Sequence, residues 1–158
     1  MAIAWAGDGS LRIATAQRST PGALDVWRLD PGSGAAVRLA HVVEPGADWD
    51  RFPAPAFSPE GKFVIATTTA AGGAPGPTWL LDVDASGLER ILDPDQNAVP
   101  GALAWSSTGR AYANLDLTDP ARPTLRRHPI YGGPDSVVGV LPSTLTVLHG
   151  PPVTVDLR

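Results

Sequence analysis

Phe57-Ser58-Pro59-Glu60-Gly61-Lys62-Phe63-Val64-Ile65-Ala66-Thr67-Thr68 places an aromatic residue four positions before a glycine, and a β-rich apolar run comes directly after that glycine. The first half of this stretch occurs twice more, as Trp5-Ala6-Gly7-Asp8-Gly9 and as Trp105-Ser106-Ser107-Thr108-Gly109. Small, polar or turn-forming residues stand between aromatic and glycine each time, and the glycine suits a hairpin position of positive φ. The aromatics lie 52 and then 48 residues apart. A period of that length marks a repeat architecture.

The segment after each glycine repeats as well. Leu11 to Ala16, Phe63 to Thr68 and Ala111 to Asp116 occupy the same offsets and read as strands. The second is apolar on both faces through most of its length, as a strand covered on both sides would be. Beyond a Gly/Pro-rich loop comes a third strand, Trp27-Arg28-Leu29-Asp30 in one repeat and Trp79-Leu80-Leu81-Asp82 in the next. The turns Pro31-Gly32-Ser33-Gly34 and Asp84-Ala85-Ser86-Gly87 lead to a fourth strand, Ala36 to Leu39 and Leu88 to Leu92. The third repeat keeps strand positions near Thr124 to Arg127 without the Trp or the Leu-Asp pair.

Four short strands per unit, repeated at this period, predict an all-β chain of tandem four-stranded antiparallel blades, an incomplete β-propeller of about three and a half units. The expected limits are about 2–43, 54–93 and 101–133, with a partial fourth blade over 136–158, all in one repeat region, 1–158. Val137 to Leu141, Thr144 to Leu148 and Val153 to Leu157 would supply that unit's strands, which end at Arg158 before an outermost one. An open stack exposes a blade face and a strand edge that invites pairing. The chain is therefore expected to continue in a longer polypeptide, or to be covered near Trp5 and Val153–Leu157 by a second copy or partner subunit.

Phe57-Ser58-Pro59-Glu60-Gly61, with Trp79-Leu80-Leu81-Asp82 about twenty residues on, resembles the TolB-like class of WD-repeat-like propellers. That resemblance implies an extracytoplasmic scaffold, or the non-catalytic propeller of a larger protein. Kelch repeats are the alternative within the fold. Gly72-Gly73 stands where they carry a double glycine, but the first repeat has Pro21-Gly22 there.

Composition narrows function by exclusion. Twelve basic against sixteen acidic residues give a net charge of -4, the wrong balance for a nucleic-acid surface. Without cysteine there is no disulfide, thiolate metal site or thiol nucleophile. No apolar run approaches the roughly 18 residues of a membrane span, so no direct membrane insertion is expected. Met1 to Trp5 lacks the charged-then-apolar pattern of a signal peptide.

Few residues remain for a site. Repeat alignment makes packing residues of Trp5 with Trp105 and of Trp27 with Trp79. Trp49 has no counterpart. It lies in the connection Glu44-Pro45-Gly46-Ala47-Asp48-Trp49-Asp50-Arg51, where Trp49, Asp50 and Arg51 together have the composition of a protein-binding hot spot. The competing reading folds Trp49 back over the blade edge.

Asp82, Asp84, Ser86, Gly87 and Asp93 match a calcium-loop pattern, but a short Asp stands at the last position and strands rather than helices flank it. The turn reading is preferred, and no metal or cofactor is expected. His41, His128 and His149 each stand alone. No G-x-S-x-G element or phosphate loop occurs. The function expected is a non-catalytic interaction scaffold presenting loops to a protein partner. The alternative is the propeller of a larger enzyme, such as a serine peptidase, with its catalytic domain elsewhere.

Overall fold

The computed structural model describes residues 1–49, 55–69, 75–93, 103–116, 118–119 and 121–142. Among these are twelve strands and no helix. They are β1 (Ala2–Trp5), β2 (Leu11–Ala16), β3 (Ala23–Leu29), β4 (Ala36–Val43), β5 (Ala56–Phe57), β6 (Phe63–Thr69), β7 (Pro75–Asp82), β8 (Gly87–Leu92), β9 (Leu103–Trp105), β10 (Ala111–Asp116), β11 (Thr124–Pro129) and β12 (Ser136–Val140). Every four consecutive strands form one antiparallel sheet in chain order, giving three blades. The inner strands β1, β5 and β9 lie side by side.

Each β1–β2-type hairpin closes on its glycine. The N–H of Gly9, Gly61 and Gly109 donates to the carbonyl of Ala6, Ser58 and Ser106, at φ of +79°, +71° and +66°. The hairpins nevertheless differ in length. The second and third are fastened by Ser58 N to Phe63 O and Ser106 N to Ala111 O, and each serine Oγ accepts the return N–H at 3.0 and 3.1 Å. The first closes one residue sooner, Ala6 N to Ser10 O, and Ala6 has no hydroxyl to hold a wider turn.

This one-residue difference corrects the alignment by equal offsets. Trp5 pairs with Leu11, Phe57 with Val64 and Trp105 with Tyr112, so Leu11 corresponds to Val64 and Tyr112 rather than to Phe63 and Ala111. A one-residue slip moves a side chain to the other face of a sheet. In the observed register Trp27 opposes Ile13 and Trp79 opposes Ala66, and each faces an arginine, Arg38 or Arg90, just past a bulge. The two tryptophans are equivalent, as their motif suggests. The same position in the third blade is Arg126, opposite Asn114.

The fourth unit is corrected too. Ser136–Val140 is the outer strand of the third blade, paired with β11, rather than the start of another. The strands expected over 144–148 and 153–157, and the kelch-like Gly72-Gly73, lie outside the described residues.

Two apolar seams bind the blades. Ala2, Ala14, Leu24 and Val26 of blade 1 meet Val64, Ala66 and Leu81 of blade 2. Phe63, Ile65, Leu80 and Leu92 on the other side of blade 2 meet Leu103, Trp105 and Tyr112 of blade 3. Blade 2 thus has both faces covered, and β6 is buried at all seven residues. Its two-faced apolar sequence has this cause. Two of its three threonine hydroxyls are paired: Thr67 and Thr78 share a 3.0 Å hydroxyl bond, and Thr68 Oγ1 donates to the Pro77 carbonyl at 3.0 Å.

Candidate functional site

Trp49 is not a surface anchor. Only 5% exposed, it belongs to the first seam and donates its indole N–H to the Gly22 carbonyl at 2.8 Å. The hot-spot reading of this residue is corrected: a large aromatic at the blade edge gains more from burial than from display, provided its N–H finds an acceptor. Asp50 and Arg51 lie outside the described residues.

The calcium-like segment is turn chemistry. Asp82 Oδ1 accepts the backbone N–H groups of Asp84 and Ala85 at 3.0 and 3.2 Å. Asp30 does the same for Gly32 and Ser33 at 2.8 and 3.2 Å. Asp93 pairs with Arg90. Both aspartates at the turn are Asx-type fasteners. No group of three or more His, Asp or Glu residues that could hold a metal occurs among the described residues.

His41 contacts an aspartate rather than a second histidine. Its Nδ1 lies 2.6 Å from Oδ1 of Asp25, a fully buried carboxylate that Gln17 also holds, with Arg38 at 3.8 Å. These groups satisfy the hydrogen-bonding capacity of a buried carboxyl group. At the first hairpin, hydrogen bonds from Ser10, side chain then backbone, and from Arg12 hold the Asp8 carboxyl well below its ordinary range.

On the blade-1 face turned away from blade 2, the expected open face near Trp5 and the packing assignment of Trp5 come apart. Ile3, Trp5, Leu11, Ile13, Trp27 and Leu29 alternate onto it, opposite the residues that fill the seam. Repeat alignment makes Trp5 a packing residue, yet it is 63% exposed, whereas Trp105 at the equivalent place is 5% exposed. The cause is visible at the second seam. Trp105 donates its indole N–H to the carbonyl of Ala56 on the preceding inner strand at 3.0 Å, and no inner strand is placed in this way against Trp5 among the described residues. The turn glycines agree. A Cβ on Gly61 would meet Arg12 and Ala6 of blade 1, one on Gly109 would meet Glu60 of blade 2, and one on Gly9 would meet nothing. Trp27 is half-buried, with the Arg38 guanidinium 6.0 Å from its ring centre. Trp79 is also half-buried, though it packs at the first seam, so neither is as enclosed as the packing assignment implies.

Sequence reasoning missed a second feature. Beyond Leu103, Trp105 and Tyr112, the face of blade 3 turned toward blade 2 is polar where blades 1 and 2 are apolar. Asn114 replaces Ile13 and Ala66, Arg126 replaces Trp27 and Trp79, and His128 replaces Leu29 and Leu81. His128 places Nε2 at 2.7 Å from Asn114 Oδ1 and Nδ1 at 3.0 Å from Asp135 Oδ2, and it stacks on Tyr112 with centroids 4.7 Å apart. Arg126 Nε donates to Asp116 Oδ2 at 2.6 Å. The Thr118 hydroxyl, with help from its backbone N–H and from Arg126, holds the Asp116 carboxyl below the usual range. Burial, with Asp135 and Glu89 nearby, pushes the Tyr112 phenol up. The available signal was the third repeat's missing tryptophan, which marks Arg126 once the register is known.

No family model matches the sequence. Solved structures do. TolB from Acinetobacter baumannii aligns at a TM-score of 0.55 and 16% identity, over 87% of this chain and 31% of that one. A prolyl endopeptidase aligns at 0.55 and 16%, over 90% and 22%. An oligogalacturonate lyase determined in complex with manganese aligns at 0.56 and 10%, over 82% and 34%. The chain thus spans about a third or less of the length of these three neighbours, and at such identities the likeness is one of fold. Three four-stranded antiparallel sheets in chain order give this chain the fold of a partial β-propeller, a fold it shares with TolB.

Proposed function

We propose that the chain is a non-catalytic propeller segment that works by docking a protein against the uncovered face of blade 1. The observation behind this reading is the pair Trp5 and Trp105, equivalent in register but opposite in exposure. Exposed apolar area of this kind on a rigid scaffold marks an interaction surface. The repeat also defines the chemistry of the occupant. It is a further β-blade, bringing small apolar side chains over Ile3, Ile13 and Trp27 and an inner-strand carbonyl for the Trp5 indole, as Ala56 does for Trp105.

Light scattering and native mass measurement test the proposal on the full-length gene product. The expected result is an assembly that Trp5→Ala or Ile3→Asp disperses without changing the circular dichroism. A monomer by both measurements, from a gene encoding no further blade, would overturn it.

The likeness to a prolyl endopeptidase over 90% of this chain favours a second reading, in which the blades belong to a larger enzyme. Sequence continuing from the gene into a strand–G-x-S-x-G–helix unit would support that reading over the scaffold.

A further inference from the structure

The polar face of blade 3 carries an inference independent of the blade-1 surface. Between that face and the outer strand of blade 2 lies a cleft of about 350 Å³, bounded by Ile91, Leu92, Asn114, Arg126, His128 and Asp135. Seam stability alone does not account for it. At the equivalent positions of blade 2, Ala66, Trp79 and Leu81 close a seam with one polar side-chain atom between them, the unpartnered indole nitrogen of Trp79. Burying a polar network in place of well-packed apolar residues is often neutral or unfavourable. Three such replacements clustered on one face, each with ordered partners, point to a ligand.

The network is arranged to hold two groups still while leaving each with an open edge. Asp116 uses Oδ2 for Arg126 Nε and Oδ1 for the Thr118 N–H and hydroxyl, at 2.9 and 2.6 Å. This clamps the guanidinium. Its two terminal nitrogens take no partner among the described residues, and the side chain is 43% exposed. Asp135 is fixed through Oδ2 by His128, which is locked by Asn114 and the Tyr112 ring, while Oδ1 has no partner among the described residues. Thus the cleft offers one fork of donors and one carboxylate oxygen.

We propose that this cleft binds a free α-amino acid with an aliphatic side chain. The ligand's carboxylate sits end-on against the terminal nitrogens of Arg126, a pairing the planar fork favours. Its ammonium donates to Asp135, and its side chain lies along Ile91 and Leu92. Arg126 and His128 are two residues apart on β11, so their Cα atoms are about 7 Å apart, and Asp135 is tethered to the latter. An amino-acid head group with a hydrogen bond at either end suits that span. The open donors and the open carboxylate oxygen suit a ligand carrying both charges: a simple anion would face Asp135 as well as Asp116, and a simple cation would also face Arg126.

Titration of isotope-labelled full chain with L-leucine, followed by NMR, tests the assignment. The controls are leucinamide, which lacks the carboxylate, and N-acetylleucine, which lacks the ammonium. Leucine should shift the Arg126 and His128 side-chain resonances saturably, and both blocked forms should bind at least about tenfold more weakly. Arg126→Lys and Asp135→Asn should each weaken leucine by about tenfold or more while the melting temperature holds. The blocked ligands keep the test valid on the unmodified chain if a variant fails to fold. Absence of saturable shifts up to about 10 mM leucine, or blocked forms that bind as well as leucine, would overturn the proposal.

Discussion

Gly22 and Glu44 approach each other so closely that a Cβ on Gly22 would overlap the Glu44 carbonyl oxygen, while Glu44 N–H donates to the Gly22 carbonyl at 2.9 Å. The same Gly22 oxygen takes the Trp49 indole at 2.8 Å. One backbone position therefore joins the β2–β3 loop, the end of β4 and the connection to blade 2. Its φ of +80° adds a second reason for glycine.

Gly22→Ala should therefore combine left-handed strain with a backbone clash and cost about 2–4 kcal/mol. Gly9→Ala has the strain, at φ +79°, but open space around the new Cβ, and should cost about 1 kcal/mol. Urea unfolding of both variants checks the pair. Equal losses would mean that the close approach does not matter.

Trp105→Ala removes a buried indole and its hydrogen bond across the second seam, for an expected loss of about 3–5 kcal/mol. Trp5→Ala, at the same register position but exposed, should alter the stability of the isolated chain by no more than about 0.5 kcal/mol. Trp49→Ala should resemble Trp105→Ala. Thermal or denaturant unfolding at low protein concentration separates these cases.

The depressed Asp116 carboxyl predicts a pH-dependent contribution. Its folded-state value lies below the ordinary 3.8, so ionised Asp116 stabilises the fold fully above that value. The contribution is lost as pH falls through the lower, folded-state value. Asp116→Asn should therefore be less stable than the parent at neutral pH, with the gap closing as pH drops below 3.8. A gap that stays constant under acid would show that the hydrogen bonds to Thr118 and Arg126 do not depend on charge.

Calcium should leave the melting temperature unchanged, because the Asp82 carboxylate is engaged by the backbone of its own turn. A rise of several degrees at modest calcium would reveal a site binding the folded state, through linkage.

The repeat, the strand order within blades 1 and 2, and the equivalence of Trp27 with Trp79 are legible because each depends on spacing and periodicity. The register of the first hairpin is not. Counting from Gly9 gives no sign that Ala6, lacking the hydroxyl of Ser58 and Ser106, closes a turn one residue tighter. That single residue decides which face Leu11 occupies. Ser136–Val140 reads as the start of a new blade because the Tyr131–Asp135 connection suits a link between units as well as a hairpin loop. Trp49 shows the limit of local composition. Flanking acids and an arginine suggest a surface site, but the nearby Gly22 carbonyl and the apolar seam decide the side chain's place. The polar cleft is hidden because its members, Asn114, Arg126 and Asp135, look like ordinary strand and loop residues until the register places them together.

The central position of blade 2 has a consequence for how the molecule opens. In a stack of nearest-neighbour units, a terminal unit can detach by breaking one seam, whereas the middle unit cannot loosen without breaking two. Amide protons of β6, buried along its whole length, should then exchange with solvent only in near-global opening. A protein captured at blade 1 would slow exchange from that side inward, giving blade 1 a covered face on both sides as blade 2 has.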